Sequence, residues 1–241
     1  MDAGVQPTEA AVGRRRVRGG WVERGERVST RVLVGATGDV LARFEDPGAL
    51  LTDDELARAA RFRAQGHRDD FVAAHVLVRM CAGEALGVAP EELTLVQLCP
   101  TCGGTHGPPS LKEVADLAVS LSHTRGHVAA TAGPGPVGVD IEAADRKQSD
   151  GLVDMVLAPA EARLVRAAAD APLAFLDLWV RKEALIKAGR ASLNTLASVD
   201  LVGDAGRVVD RWGDLYLTGW RDGDRLVGAC ASPTPATIQM I

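Results

Sequence analysis

At 241 residues, 46% of them hydrophobic, and with a formal net charge of −5, the chain is long enough to bury a core and too apolar to stay disordered. The charge balance argues against a nucleic-acid binder held by bulk electrostatics, because such domains are usually basic. No apolar run approaches the ~18–20 residues that span a bilayer.

The N-terminal segment over 1–28 has no hydrophobic period. Its basic residues Arg14, Arg15, Arg16 and Arg18 are followed by Gly19 and Gly20, where a secretory signal would need an apolar stretch. The expectation is a cytoplasmic protein with a loose, solvated tail over 1–28. Arg31–Val34 reads as a first strand. Thr52-Asp-Asp-Glu55 is a capping box and opens a helix expected to reach about Arg63. Gly66 reads as an interruption. A second helix is expected from Arg68 to Leu86, with Phe71, Ala74, Val78 and Ala82 on one face and Gly87 as its stop. Leu93–Leu98 reads as a strand, Pro100–Pro109 as a loop, and Ala118–His123 and His127–Ala132 as strands around Arg125-Gly126.

Gly133-Pro-Gly-Pro136 is the most abrupt break, and the domain junction is placed there: an N-terminal subdomain over 29–134 and a C-terminal one over 135–241. Beyond it come a strand at Val137–Glu142 and helices at Leu152–Leu157, Pro159–Ala169 and Leu173–Ala188. Strands follow at Ser198–Val202, Arg207–Arg211, Leu215–Trp220 and Arg225–Ala231, with a hairpin cue at Asp222-Gly223. Helices followed by strands in both halves predict two similar α+β subdomains.

Two segments carry chemistry. In Val137-Gly-Val-Asp-Ile-Glu142 the side chains alternate, so Asp140 and Glu142 share one face with Gly138. A divalent cation would offset their repulsion, and magnesium accepts one or two carboxylates plus phosphate and water. Gly138 is expected to clear room for a ligand. For a lone D-x-E, a half-exposed edge strand with solvated acids is the simpler reading, and the pair alone is a weak signal. In the helix around Trp179-Val-Arg-Lys-Glu-Ala-Leu-Ile-Lys187, the residues Trp179, Glu183 and Lys187 follow one stripe with Lys182 beside it. A surface Glu–Lys pair explains the charges alone. A partly buried Glu183 between two lysines would suit a general base near phosphates.

Together, in this order and at this spacing, Gly138-Val-Asp-Ile-Glu142 and Trp179-Val-Arg-Lys-Glu-Ala-Leu-Ile-Lys187 resemble the signature pair of the 4′-phosphopantetheinyl transferases, and most the Sfp-type enzymes of natural-product biosynthesis. Ser120-Leu-Ser-His123 resembles a further family strand. His106-Gly-Pro-Pro109 sits where the family has a G-[KR]-P turn, and the helices at Arg61-Phe62 and Phe71–Arg79 look like its N-terminal half. The resemblance implies an α+β fold of two similar halves with a pseudo-twofold relation, a monomer, and coenzyme A bound between the halves. It implies transfer of the phosphopantetheine arm to a serine of an acyl or peptidyl carrier protein, as in polyketide and nonribosomal peptide assembly, with release of adenosine 3′,5′-bisphosphate.

By the same resemblance, Asp140 and Glu142 match magnesium ligands, and Glu183 matches a third acid that binds metal, deprotonates the carrier serine, or both. Lys182 and Lys187 match phosphate-holding lysines, with Lys187 also placed to protonate the leaving phosphate. Ser122, His123, Arg58, Arg61 and Arg68 match positions near the nucleotide's 3′-phosphate. Two departures stand out. Pro108 replaces a family cation, leaving Lys112 or an arginine to compensate, and Asp70 stands near a usually basic position.

A competing reading comes from Cys99-Pro-Thr-Cys102 with His106, three ligands of zinc type that want a fourth, for which Cys81 is the candidate. With Cys230 the chain has four cysteines, too few for a disulfide scaffold. The competing function is a non-catalytic, zinc-stabilised binding module.

Overall fold

The computed structural model describes residues 14–17, 20–23, 29–145, 151–223 and 225–241. Within the expected tail, β1 (Arg14–Val17) and β2 (Gly20–Glu23) pair as an antiparallel hairpin. The rest of that segment, including the glycine at 19, lies outside the described residues.

The N-terminal half contains β3 (Arg31–Ala36), the short helix α1 (Thr37–Leu41), α2 (Asp53–Ala59) and α3 (Gln65–Leu86). It continues through the two-residue strands β4 (Leu95–Val96) and β5 (Ser110–Leu111) to β6 (Ala118–Thr124) and β7 (His127–Gly133). The C-terminal half contains β8 (Gly138–Ala143), α4 (Leu152–Val156), α5 (Pro159–Ala167), α6 (Ala171–Lys187), β9 (Arg211–Trp212), β10 (Leu215–Asp222), β11 (Leu226–Ser232) and β12 (Thr237–Met240).

The capping box forms as expected. Thr52 Oγ1 accepts from the Glu55 amide at 3.3 Å, and Glu55 accepts from the Thr52 amide at 2.7 Å. The helix it opens stops at Ala59 rather than Arg63. Gly66 does not interrupt anything; it lies in the first turn of α3, which Gly87 ends with a φ of 68°. The Leu93–Leu98 strand shrinks to β4. Where Ser198–Val202 was expected as a strand, Leu193–Ser198 forms a 3-10 helix, and Val202 bridges Val208. The Asp222-Gly223 hairpin joins β10 and β11, with Asp222 opposite Leu226.

Two four-stranded sheets result, ordered β12-β3-β7-β6 and β8-β11-β10-β9. β12 crosses back to pair in parallel with β3 in the N-terminal sheet. Side-chain alternation decides which face meets which layer. Leu33 joins the core under α3, whereas Val32 and Val34 meet Val139, Ile141 and Cys230 between the sheets. Val227, Ala229 and Ala231 of β11 pack beneath α5 and α6. The layers therefore run helix, sheet, sheet, helix.

The two sheets meet where β6 lies along β8, and here hydroxyls replace a backbone ladder. Ser120 Oγ accepts from the Val139 amide at 3.2 Å, and Thr124 Oγ1 accepts from the Ala143 amide at 3.2 Å. Between them, Ser122 donates to Asp140 Oδ1 at 2.8 Å. A hydroxyl at every second position of Ser120-Leu-Ser-His-Thr124 is what this seam requires.

Gly138 serves a different purpose from the one expected. A methyl group there would overlap the Ala184 carbonyl oxygen and crowd the Ala188 amide. The glycine lets α6 lie close on β8 instead of clearing space for a ligand. Gly138→Ala should force helix and strand apart and cost about 1–3 kcal/mol or more, as overpacking does. Chemical denaturation would show this, and activity should fall with it, because the same contact holds Lys187 against Asp140.

Candidate active site

The seam between β6 and β8 opens into a cleft of about 500 Å³ lined by Arg58, Arg61, Phe62, Phe71, His75, Gln97, Leu121, Ser122, His123 and Lys187. Five residues expected at the site from sequence meet in this space: Arg58, Arg61, Ser122, His123 and Lys187. They come from α2 and the turn after it, from β6, and from the last turn of α6, so the cleft joins the two halves.

Arg58 is aimed by its neighbours. Its Nη1 donates to Gln97 Oε1 at 2.5 Å and to the Thr105 carbonyl at 3.1 Å, and its guanidinium lies 5.2 Å from the Phe71 ring centroid. Behind it, His75 is buried and donates from Nδ1 to the Phe71 carbonyl at 2.8 Å. Arg79 makes a two-pronged bond to Glu55 at 3.0 and 2.7 Å. Burial alone would raise the Glu55 pKa, but the hydrogen bonds and charge of Arg79 bring it below the ordinary value. Arg61 is exposed at the cleft rim.

His123 is open to solvent on one edge but set into the cleft wall. Desolvation there lowers its pKa; Lys187 and His67 push the same way, and Asp70 and Asp140 oppose them. Asp70 accepts from Thr37 Oγ1 at 2.6 Å and from the Gly126 amide at 3.1 Å. Asp70 thus ties the β6–β7 turn to α1 and α3.

At the cleft floor, Lys187 donates to Asp140 Oδ1 at 2.8 Å, to the Val139 carbonyl at 3.0 Å and to the Leu121 carbonyl at 3.4 Å. Asp140 is 6% exposed, and its second oxygen Oδ2 is buried with no hydrogen-bond partner among the described residues. An unsatisfied buried carboxylate oxygen beside a cleft is where a hard cation or a donor belongs. One strand step on, Glu142 accepts from Trp179 Nε1 at 3.4 Å. Trp179 and Lys187 stand two turns apart on one stripe of α6, so Glu183 lies between the levels of the two acids.

Magnesium fits this donor set through Asp140 and Glu142. Without an ion, the trio whose ligand atoms converge among the described residues is Cys99, Cys102 and His106. Asp140 is held by Lys187 and Ser122, and Glu142 accepts from Trp179.

Two expected phosphate contacts lie elsewhere. Lys182 is fully buried on another face of α6. Its ammonium donates to Glu161 Oε2 at 2.7 Å and to the carbonyls of Val156, Leu196 and Val199 at 3.0, 2.7 and 2.6 Å. Glu161 also accepts from the amides of Ala158 and Leu201, at 2.7 and 2.9 Å. Lys182 is thus a structural cation, with no proton left for a phosphate. Arg68 braces the turn between α2 and α3, donating to the Phe62 carbonyl at 3.0 Å, and is not in the cleft lining. Ser122 lines the cleft, yet its hydroxyl positions Asp140. Lys112 opens onto a neighbouring groove, so the cations placed to make up for Pro108 are Arg58 and Arg61. The residues unforeseen were Phe62, Phe71, His75, Gln97 and Leu121. Gln97 reaches Arg58 across 39 residues of sequence, and no local pattern signals it.

Cations thus surround an acid at the seam of the two sheets, an arrangement that suits a phosphate-bearing ligand. Comparison with known proteins names the class. A family model described as the 4′-phosphopantetheinyl transferase superfamily matches residues 136–221, which hold Asp140, Glu142, Glu183 and Lys187. The chain is also 29% identical over 168 residues to the 4′-phosphopantetheinyl transferase HetI of Nostoc sp. (strain PCC 7120 / SAG 25.82 / UTEX 2576), covering 66% of this chain and 68% of that protein. Over residues 136–221 the chain is thus similar to the 4′-phosphopantetheinyl transferase superfamily, and both comparisons support an activity of that kind. Among the described residues no helix is long and apolar enough to cross a membrane.

Proposed function

We propose that this chain transfers the 4′-phosphopantetheine arm of coenzyme A to a serine of an apo acyl or peptidyl carrier protein, in a magnesium-dependent reaction that releases adenosine 3′,5′-bisphosphate. The observation that carries this reading is the Lys187–Asp140 pair on the floor of a cleft walled by Arg58, Arg61 and His123. The Sfp-type assignment, service to polyketide or nonribosomal peptide carriers, a monomeric state and a cytoplasmic location belong to the same proposal.

Phosphoryl transfer asks chiefly for positioning and for neutralised charge. Arg58, Arg61 and His123 hold the nucleotide's 3′-phosphate. Asp140 and Glu142 would hold a magnesium ion, which would supply charge neutralisation at the pyrophosphate. The serine oxygen bonds to the phosphorus that carries the arm, and the bond from that phosphorus to the bridging oxygen breaks. Glu183 takes the serine proton. Lys187 steadies the leaving phosphate and is placed to protonate it.

Bisphosphate release, followed chromatographically, should require both an apo carrier and magnesium. Equal release without carrier, or after magnesium is omitted, would contradict the reading.

His123 adds a pH signature. A bound phosphate favours the imidazolium, raising a pKa that the free cleft holds down. Binding therefore takes up a proton, and coenzyme A affinity should climb as pH falls from 8 towards 6. Calorimetry on His123→Gln should show a flatter profile and a smaller preference for coenzyme A over its 3′-dephospho form. An unchanged profile and preference would remove His123 from the phosphate site.

A further inference from the structure

We infer that Cys99, Cys102 and His106 form a zinc site that clips the loop between β4 and β5, with water in the fourth position. The ligand atoms of all three lie within 4.8 Å of one another, and Cys102 Sγ is 3.0 Å from His106 Nε2. A tetrahedral zinc with two sulfurs and one nitrogen sets its ligands roughly 3.5 Å apart. The trio therefore needs only small side-chain adjustments.

The backbone is shaped for the ion. The Cys99 amide donates to the Gly104 carbonyl at 2.8 Å, and the Gly103 amide returns to the Cys99 carbonyl at 2.8 Å. Gly103 has a φ of 72°. This tight turn aims the amides of Cys102 and Thr101 at the Cys99 sulfur. A methyl on Gly104 would crowd the His106 ring and the Cys102 sulfur, at 3.0 and 3.4 Å.

The loop is held by backbone hydrogen bonds and has no core of its own. No residue from 98 to 110 is buried, and Leu98 is 58% exposed. Stretches of this length without a core are uncommon and need a tie. This loop matters, because its Thr105 carbonyl and the adjoining Gln97 fix Arg58 at the cleft.

Cys81 does not complete the shell. It is buried in α3 against the Arg31 carbonyl, with its thiol pushed up to about 12 by burial. Cys230 is buried at the sheet–sheet interface, its thiol raised to about 11. Three protein ligands leave zinc one open position, which water fills. Loading releases the proton of each thiol as its Zn–S bond forms. The site makes this a metal-clipped enzyme, in place of the non-catalytic zinc module that the same residues first suggested.

The test uses the full chain, reduced, stripped of metal and titrated with cobalt(II), then with zinc. One equivalent of cobalt should bind with a near-ultraviolet sulfur-to-metal charge-transfer band, and zinc should displace it. Cys102→Ser and His106→Ala should each lose most of the bound metal, while Cys230→Ala keeps it. In the parent chain, zinc should shield Cys99 and Cys102 from alkylation, a readout independent of how the variants fold. No thiolate band, no protection, or a Cys99–Cys102 disulfide that forms in place of metal binding would overturn the inference. None of these readouts depends on transferase activity. If the transfer reading also holds, zinc removal should weaken coenzyme A binding by loosening Arg58.

Discussion

Asp140→Asn should lower kcat/KM for transfer by at least about 10²-fold while leaving the protein folded. The asparagine keeps the shape of the side chain and can still accept from Ser122 and Lys187 through one oxygen. What it loses is the charge, and with it Oδ2, the buried oxygen that no group among the described residues satisfies. Lys187 retains its carbonyl partners, Val139 at 3.0 Å and Leu121 at 3.4 Å, so the variant should melt within a few degrees of the parent. Coenzyme A should still bind, because Arg58, Arg61 and His123 are untouched. Ser122→Ala removes only one hydrogen bond to Asp140 and should cost about tenfold. Steady-state kinetics with thermal unfolding in parallel would separate these effects. An Asp140→Asn enzyme that keeps a tenth or more of parent activity would show that this acid is not the charge centre of the site.

Lys182→Met should do the reverse: large damage to stability, little to substrate binding by the folded fraction. The Lys182–Glu161 pair is fully buried, and removing one partner strands the other's charge. Such losses run to about 3–5 kcal/mol. For a chain of this size that is a fall in Tm of roughly 10 °C or more. Desolvation lowers the Lys182 pKa and Glu161 pulls it back up, as expected of a buried ion held by its partner. The double variant Lys182→Met with Glu161→Gln should regain part of the loss, because no unpaired charge remains. A Lys182→Met protein that melts normally but binds coenzyme A poorly would return this lysine to the phosphate site.

The contrast between Lys182 and Lys187 shows what the sequence could reveal. Both stand in one charged helix motif, and both resemble phosphate-holding lysines. Five residues of helix rotate one about 140° from the other. Lys187 therefore reaches the seam, while Lys182 turns to the segment over 193–199. The decisive partner, Glu161, sits on another helix and has only local meaning in sequence, as the first-turn acid of α5.

Local rules served well where the structure is local. The Thr52–Glu55 box, the Gly87 stop and the Asp222-Gly223 hairpin all formed. So did the alternation that sends Val139 and Ile141 inward and Asp140 towards α6. Non-local pairing was not legible. β12 joins β3 in parallel across some 200 residues, with no turn to announce it. Gly138 was recognised as meaningful for the wrong reason, because a glycine that admits a ligand and one that admits a helix look alike in sequence.

The most direct test is the intact mass of an apo carrier protein after incubation with this chain, coenzyme A and magnesium. The account predicts a gain of ~340 Da, one phosphopantetheine arm on the carrier serine, which is absent when that serine is replaced by alanine and nearly absent with Asp140→Asn. An unchanged carrier mass across acyl and peptidyl carriers, with the chain folded and coenzyme A intact, would contradict it.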